Sequence, residues 1–167
     1  MILFAAGFAA LTLGDSFTRT KLLIRFRFPK VPQMSTAKLA QLESDPHGTK
    51  PILLDVRTAA EYDVSHIAGA RRIDPEAKAE AVLPQLPPGR TVVAYCSVGY
   101  RSSALAQRLI AAGRKDVYDL EGSIFQWANE GRPLEKNGKP ARVVHPYNAT
   151  WGKLLNPAYR ADVPPVK

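Results

Sequence analysis

The residue types best suited to chemistry lie in one short stretch, Cys96-Ser97-Val98-Gly99-Tyr100-Arg101-Ser102. It follows an apolar run, Thr91-Val92-Val93-Ala94-Tyr95, and leads into residues with helical spacing. A tight loop entering a helix turns its backbone N–H groups inward, and the helix N-terminus adds partial positive charge behind them, which makes an anion cradle. Gly99 permits a backbone angle that other residues avoid, and Arg101 adds a permanent positive charge at the rim. A helix N-terminus or a neighbouring cation lowers a cysteine pKa from about 8.5 to roughly 3.5–7.5. The stretch therefore predicts nucleophilic chemistry by Cys96. The same cradle, built from Ser97, Val98, Gly99, Tyr100 and Arg101, would hold a terminal sulfur anion once the cysteine had taken one up. The bland alternative is an inert core cysteine, yet such a position needs neither the glycine nor the arginine.

Cys96 is the single cysteine of the chain. No intrachain disulfide can form, no second thiol can resolve one, and a multi-cysteine metal site is excluded. His47, His66 and His145 show no zinc-pair spacing, so neither a metal nor a cofactor is expected.

The elements that must position the loop alternate between strand and helix. Pro51-Ile52-Leu53-Leu54-Asp55-Val56 and Thr91–Tyr95 read as strands buried on both faces. Ser35 or Thr36 caps a helix to about Ser44, with Leu39 and Leu42 on one face. Thr58-Ala59-Ala60-Glu61 is a capping box that starts a second helix. Ala70 to Ile73 forms a short strand, and Asp74-Pro75-Glu76 opens another helix. After the loop, Leu105, Ala106, Leu109 and Ile110 form one helical stripe, with Gly113 as its stop. Val117 to Leu120 is a strand, and Ile124, Trp127 and Ala128 mark a last helix ending near Gly131. Val31 to Met34 is a candidate first strand. The alternation predicts an α/β domain with a mainly parallel sheet, whose chemistry belongs at the carboxyl ends of the strands.

The chain has 167 residues, 46% hydrophobic and 23% charged, a globular composition that excludes a disordered chain, a collagen-like repeat and a multi-pass membrane protein. Its net charge of +8 is uneven: +4 over residues 1–33, −1 over 34–135 and +5 over 136–167. A nucleic-acid reader needs its basic surface on the folded module, so nucleic acid is not expected. Basic flanks suit an anionic membrane or an acidic partner.

Residues 1–14, MILFAAGFAALTLG, are almost wholly apolar, but a membrane-crossing helix needs about 20 such residues. Bases follow this run instead of preceding it, and no small-x-small cleavage site is present, so it does not read as a secretory signal. Were it to insert, the positive-inside rule would leave the body tethered to the inner face of the membrane, and a cytoplasmic location is expected. Met34 is an alternative start, which would leave residues 1–33 untranslated. From residue 136 the chain holds five of its 14 prolines and no clear period, which reads as an extended tail over the domain or partly disordered. Tyr147, Trp151 and Tyr159 argue that part of it docks. Asn148-Ala149-Thr150 matches a glycosylation acceptor, and a chance match is expected because residues 1–14 do not read as a secretion signal.

Over residues 31–135, between a flank at 1–30 and a tail at 136–167, the chain resembles a single-domain rhodanese, a sulfurtransferase. The resemblance lies in Leu53-Leu54-Asp55-Val56-Arg57 with Glu61-Tyr62 and His66-Ile67-Ala68-Gly69-Ala70, in the six-residue loop Cys96–Arg101, and in Leu120-Glu121-Gly122-Ser123-Ile124 with Trp127, Gly131, Pro133 and Leu134. Ser65 and Ser123 stand where the family usually has glycine; neither is expected to touch the loop. The resemblance implies a three-layer domain, with a mainly parallel sheet of about five strands and helices on both faces. It also implies a two-step transfer through a Cys96 persulfide, from a donor such as thiosulfate to cyanide or a thiol. Asp55 and Arg57, with Ser102 behind the loop, are expected to brace the site; His66 packs in its turn, and Tyr62 and Trp127 read as core.

Three rival readings remain. A cysteine phosphatase has one more residue between cysteine and arginine than the four here, and histidine where Tyr95 stands. No further acidic residue is placed as its general acid. A non-catalytic binding module on this scaffold usually lacks the cysteine. A relay would pass sulfur to an acceptor protein through the basic flanks.

Overall fold

The computed structural model describes residues 16–166. The apolar run 1–14 lies outside them. In chain order the elements are α1 (Ser16–Arg27), β1 (Gln33–Met34), α2 (Thr36–Ser44), β2 (Ile52–Asp55), α3 (Ala59–Val64), β3 (Arg71–Arg72), α4 (Ala79–Val82), β4 (Val92–Tyr95), α5 (Tyr100–Ala111), β5 (Val117–Leu120), α6 (Ser123–Asn129), β6 (Leu134–Lys136) and β7 (Lys139–Ala141). One five-stranded sheet runs in the order β1-β5-β4-β2-β3, and every pairing in it is parallel.

The central strands are β2 and β4, both buried along their whole length. Alternate residues feed two cores, as a period of two requires. Ile52, Leu54, Val92, Ala94 and Cys96 face a core closed by α1, α4 and α5. Leu53, Val93 and Tyr95 face the other, closed by α2, α6 and the C-terminal segment. Register pairs Asp55 with Tyr95, so the loops after β2 and β4 open at the same edge of the sheet.

Local chemistry explains most of the boundaries. Ser35 accepts the Lys38 amide at 3.1 Å to start α2, and Thr58 and Glu61 complete a reciprocal capping box for α3. Gly113, at φ +90°, ends the turn after α5. One helix starts later than its sequence suggests. Asp74 accepts the Glu76 amide at 2.9 Å in an Asx turn, and α4 begins only at Ala79.

The described parts of both flanks lie on the body. Ile24, Phe28 and Val31 are buried in the α1-side core. On the other side, β6 and β7 form an antiparallel hairpin, and Val144 and Leu155 beyond it are fully buried. The tail has no readable period because single bridges and short 3-10 turns organise it: Val144 bridges Arg160, and turns span Trp151–Leu154 and Pro157–Tyr159. The Asn148 side chain accepts the Thr150 and Trp151 amides at 3.0 Å. Among the described residues, no helix is long and apolar enough to cross a membrane, and no cluster of acidic, histidine and cysteine side chains could hold a metal ion.

Candidate active site

Cys96 leaves β4 and the chain turns at Gly99 into α5. Gly99 has φ +117°, and a side chain there would stand 3.1 Å from Asp119 Oδ2 and 3.3 Å from Ile24 Cδ1. Both backbone angle and space demand glycine. In return, the Gly99 N–H donates to Cys96 Sγ at 3.2 Å. Burial on its own pushes the Cys96 thiol up; the Arg101 charge, the Ser102 amide and hydroxyl dipoles and the Gly99 amide outweigh it and hold the thiol below its ordinary value.

The start of α6 fastens the same loop from behind. Ile124 N–H donates to the Cys96 carbonyl at 3.2 Å and Phe125 N–H to the Ser97 carbonyl at 3.1 Å. Ser123 accepts the Cys96 amide on its hydroxyl at 3.1 Å and donates to the Leu120 carbonyl at 3.1 Å. Its φ of +51° is in the left-handed region. This corrects the expectation that Ser123 stays clear of the loop: its hydroxyl supplies an acceptor that glycine lacks. Ser65, the other departure, has extended backbone that needs no glycine, and its hydroxyl donates to the Val143 carbonyl at 2.6 Å, tying the tail down.

Arg101 does not stand free at the rim. Its Nη1 and Nη2 donate to the two carboxylate oxygens of Glu61, each at 2.8 Å, and Nη2 also reaches Ser97 Oγ at 3.0 Å. Ser97 donates its own proton to Glu61 Oε1 at 2.8 Å. Glu61 is fully buried; the sequence marked it as the N3 residue of a capping box and as part of a motif, but not as a partner of Arg101. Burial pushes its carboxyl up, but the Arg101 hydrogen bonds and charge, the Arg57 charge and the Thr58 amide hold it down at about 2. Such a group is a carboxylate at neutral pH, an anchor and not a proton donor.

Asp119, on β5, was absent from the sequence candidates. It is fully buried under the loop, where its carboxyl group faces the buried Ser102 and Ser103 hydroxyls. Burial pushes its carboxyl well above the usual carboxylate range; the nearby Ser102 hydroxyl opposes this, and the Cys96 charge adds to it. The signal was available: an acid between apolar residues in a strand that must be buried.

A pocket of about 140 Å³ opens onto the sulfur, lined by Cys96, Ser97, Val98, Tyr100 and Arg101 and, from the tail, Tyr147 and Trp151. The Arg101 guanidinium lies 4.8 Å from the Tyr147 ring centre. Neighbouring His145 is buried and accepts the Tyr147 amide on Nδ1 at 2.9 Å. No spacing in the sequence pointed to these tail residues as part of the site.

Asp55 and Arg57 are brought near the loop but not to the sulfur. They form a fully buried ion pair at 2.7 Å, and Arg57 also donates to the Ser65 carbonyl at 2.7 Å. His66 stacks on Tyr62 with ring centres 3.8 Å apart, and its Nε2 lies 3.3 Å from Glu135. Tyr62, read as core from the sequence, is only half-buried, and its hydroxyl donates to the Ala70 carbonyl at 2.8 Å. Trp127 is buried and donates to the Pro133 carbonyl at 2.8 Å.

Known proteins are similar to this chain in sequence and in fold. The chain is 38% identical over 87 residues to a probable adenylyltransferase/sulfurtransferase, MoeZ, of Mycobacterium tuberculosis, a match covering 52% of this chain and 22% of that one. It thus spans less than a quarter of that relative. It is 31% identical over 104 residues to a sulfurtransferase of Allochromatium vinosum, covering 62% of this chain and 94% of that protein. The solved rhodanese-like domain of an Anabaena protein superposes with a TM-score of 0.56 at 26% identity, covering 71% of this chain and 90% of that one. The model of the family described as the rhodanese-like domain matches residues 37–130, from the first turn of α2 through the end of α6. With that match running over more than half of its length and through the Cys96 loop, the chain belongs to the rhodanese-like domain family.

Proposed function

We propose that the protein is a sulfurtransferase that carries sulfane sulfur on Cys96. The observation that carries this reading is the Gly99 amide donating to a buried Cys96 sulfur at the entrance to α5. It favours an anionic sulfur at that point, before transfer and after it.

The chemistry balances without an outside oxidant. Cys96 thiolate attacks the outer sulfur of a donor such as thiosulfate; the Cys96–sulfur bond forms as the donor's sulfur–sulfur bond breaks, and sulfite leaves with the electron pair. The outer sulfur of the resulting persulfide sits where loop amides and the α5 N-terminus favour negative charge. Cyanide or a thiolate then attacks that outer sulfur, takes it away as thiocyanate or a new persulfide, and returns Cys96 as thiolate. Ser97 and Arg101, tied to Glu61, hold the loop in shape. Among the described residues, Arg101 is the only cation lining the pocket and its charge is shared with Glu61, while Tyr100, Tyr147 and Trp151 supply aromatic wall. That lining suits a donor or acceptor whose sulfur bears an organic group as well as it suits thiosulfate. A protein acceptor is a second reading, supported by the relative whose name joins adenylyltransferase and sulfurtransferase in one chain.

Steady-state kinetics with thiosulfate and cyanide test the proposal. Parallel double-reciprocal lines, as for a ping-pong reaction, are expected. Intersecting lines, or thiocyanate formed equally by Cys96→Ser, would overturn it.

A further inference from the structure

Helix α1 is apolar on two faces. Thr20 and Ile24, with Phe28 just beyond the helix, are buried against the domain. On the outward side, Leu22, Leu23 and Phe26 are 59%, 68% and 86% exposed. Spacings of three residues (Leu23 to Phe26) and four (Leu22 to Phe26) put them on one stripe about one turn long. A surface helix normally turns polar residues outward, and one that is apolar all round is covered on all sides.

The charge around the stripe decides what covers it. The α1 sequence, SFTRTKLLIRFR, contains bases and no acid, and exposed Lys30 follows it. Arg25 is paired with Glu121 at 2.6 Å, and Arg27 and Lys30 add exposed charge beyond the stripe. A second copy of this face would set like charges against each other. The uncharged run 1–14 would bring no counter-charge. An anionic bilayer surface answers both features, taking the apolar stripe into the headgroup boundary and the bases against its phosphates.

We propose that the outward face of α1 docks the protein on an anionic phospholipid bilayer, with Leu22, Leu23 and Phe26 inserted. Residues 1–14 precede α1 in the sequence and are themselves apolar and uncharged. The opposite, inward side of this segment reaches the pocket wall: the buried Phe28 ring meets the ring of Tyr100, which lines the pocket, edge-on at 5.2 Å. The proposal stands apart from the sulfur chemistry and does not depend on it.

The test is co-sedimentation of the full chain with vesicles of phosphatidylglycerol mixed with phosphatidylcholine, and with phosphatidylcholine alone. Binding is expected to the anionic vesicles and to weaken with added salt. The full-length triple variant Leu22→Ser, Leu23→Ser, Phe26→Ser is expected to bind at least about tenfold more weakly. Its thermal unfolding and its sulfur transfer stay unchanged, since these side chains face away from the core. Equal binding to neutral vesicles, or no binding, overturns the proposal. So does a triple variant that binds like the wild type, which would leave residues 1–14 acting alone. A wild-type dimer that the variant converts to monomer would show that a second copy covers the stripe.

Discussion

Glu61 and Arg101, 40 positions apart in the chain, form a two-pronged ion pair with both contacts at 2.8 Å, and the same carboxylate accepts the Ser97 hydroxyl and the Thr58 amide. One buried side chain therefore starts α3 and fixes the loop that opens α5. The loop's arginine acts on the Cys96 sulfur from a position that Glu61 sets.

Removing that anchor is costly. Glu61→Ala leaves the Arg101 charge without its buried partner, and a loss of about 3–5 kcal/mol in unfolding free energy is expected. The pH dependence has a definite sign. The Glu61 carboxyl titrates at about 2 in the folded chain, below its ordinary value near 4.5. Its contribution, about 3 kcal/mol, is complete above about pH 5 and is lost as pH falls toward about 2. Urea unfolding at several acidic pH values measures this; Glu61→Gln is expected to flatten the profile.

The Cys96 thiol titrates below its ordinary value, and the Arg101 charge is the largest favourable cause. The rate of alkylation by iodoacetamide against pH reads that titration. The double variant Glu61→Gln, Arg101→Gln keeps a neutral hydrogen-bonded pair while removing the cation, and its midpoint is expected to rise. An unchanged midpoint would show that the loop amides, not Arg101, set the thiolate.

Ser123 gives a comparison of strain with hydrogen bonding. Ser123→Ala keeps the unfavourable φ of +51° and leaves the Cys96 amide without its acceptor. A loss of about 1–3 kcal/mol is expected. Ser123→Gly also removes the acceptor but relieves the backbone, so it should be the milder of the two in thermal or urea unfolding.

Asp119 makes the opposite pH prediction to Glu61. Its folded carboxyl is raised well above the usual range, so the native state holds a proton that the unfolded chain gives up above about pH 4, and stability falls as pH rises. Asp119→Asn, similar in shape and always neutral, should therefore be more stable than the wild type at neutral pH. The gain should fade as pH is lowered toward about 4. A variant less stable at every pH would mean that the carboxyl group makes bonds the amide cannot replace.

The parts legible in the sequence were those with a local signature. Apolar runs marked β2 and β4, Thr58 and Glu61 marked the start of α3, and the Cys96–Arg101 loop stood out by its residue types. What escaped depended on contacts distant along the chain. The capping box explained Glu61 so fully that its second task, holding Arg101, left no trace. Asp119 carried a signal in its strand but no partner that spacing could identify. Tyr147 and Trp151 reach the pocket along a segment held by single bridges and short turns, which have no period. Residues 16–30 read as a basic flank because Ile24 and Phe28 are interleaved with the exposed Leu22, Leu23 and Phe26, and two apolar faces blur one another.

The central claim is that Cys96 itself carries the transferred sulfur. Intact-mass measurement of the full chain after incubation with thiosulfate, beside the Cys96→Ser variant, tests it most directly. One added sulfur atom on the wild type alone, removed by cyanide as thiocyanate, is the predicted result. A wild-type chain that gains no sulfur from thiosulfate, mercaptopyruvate or glutathione persulfide, or a Cys96→Ser chain that gains as much, would contradict the account.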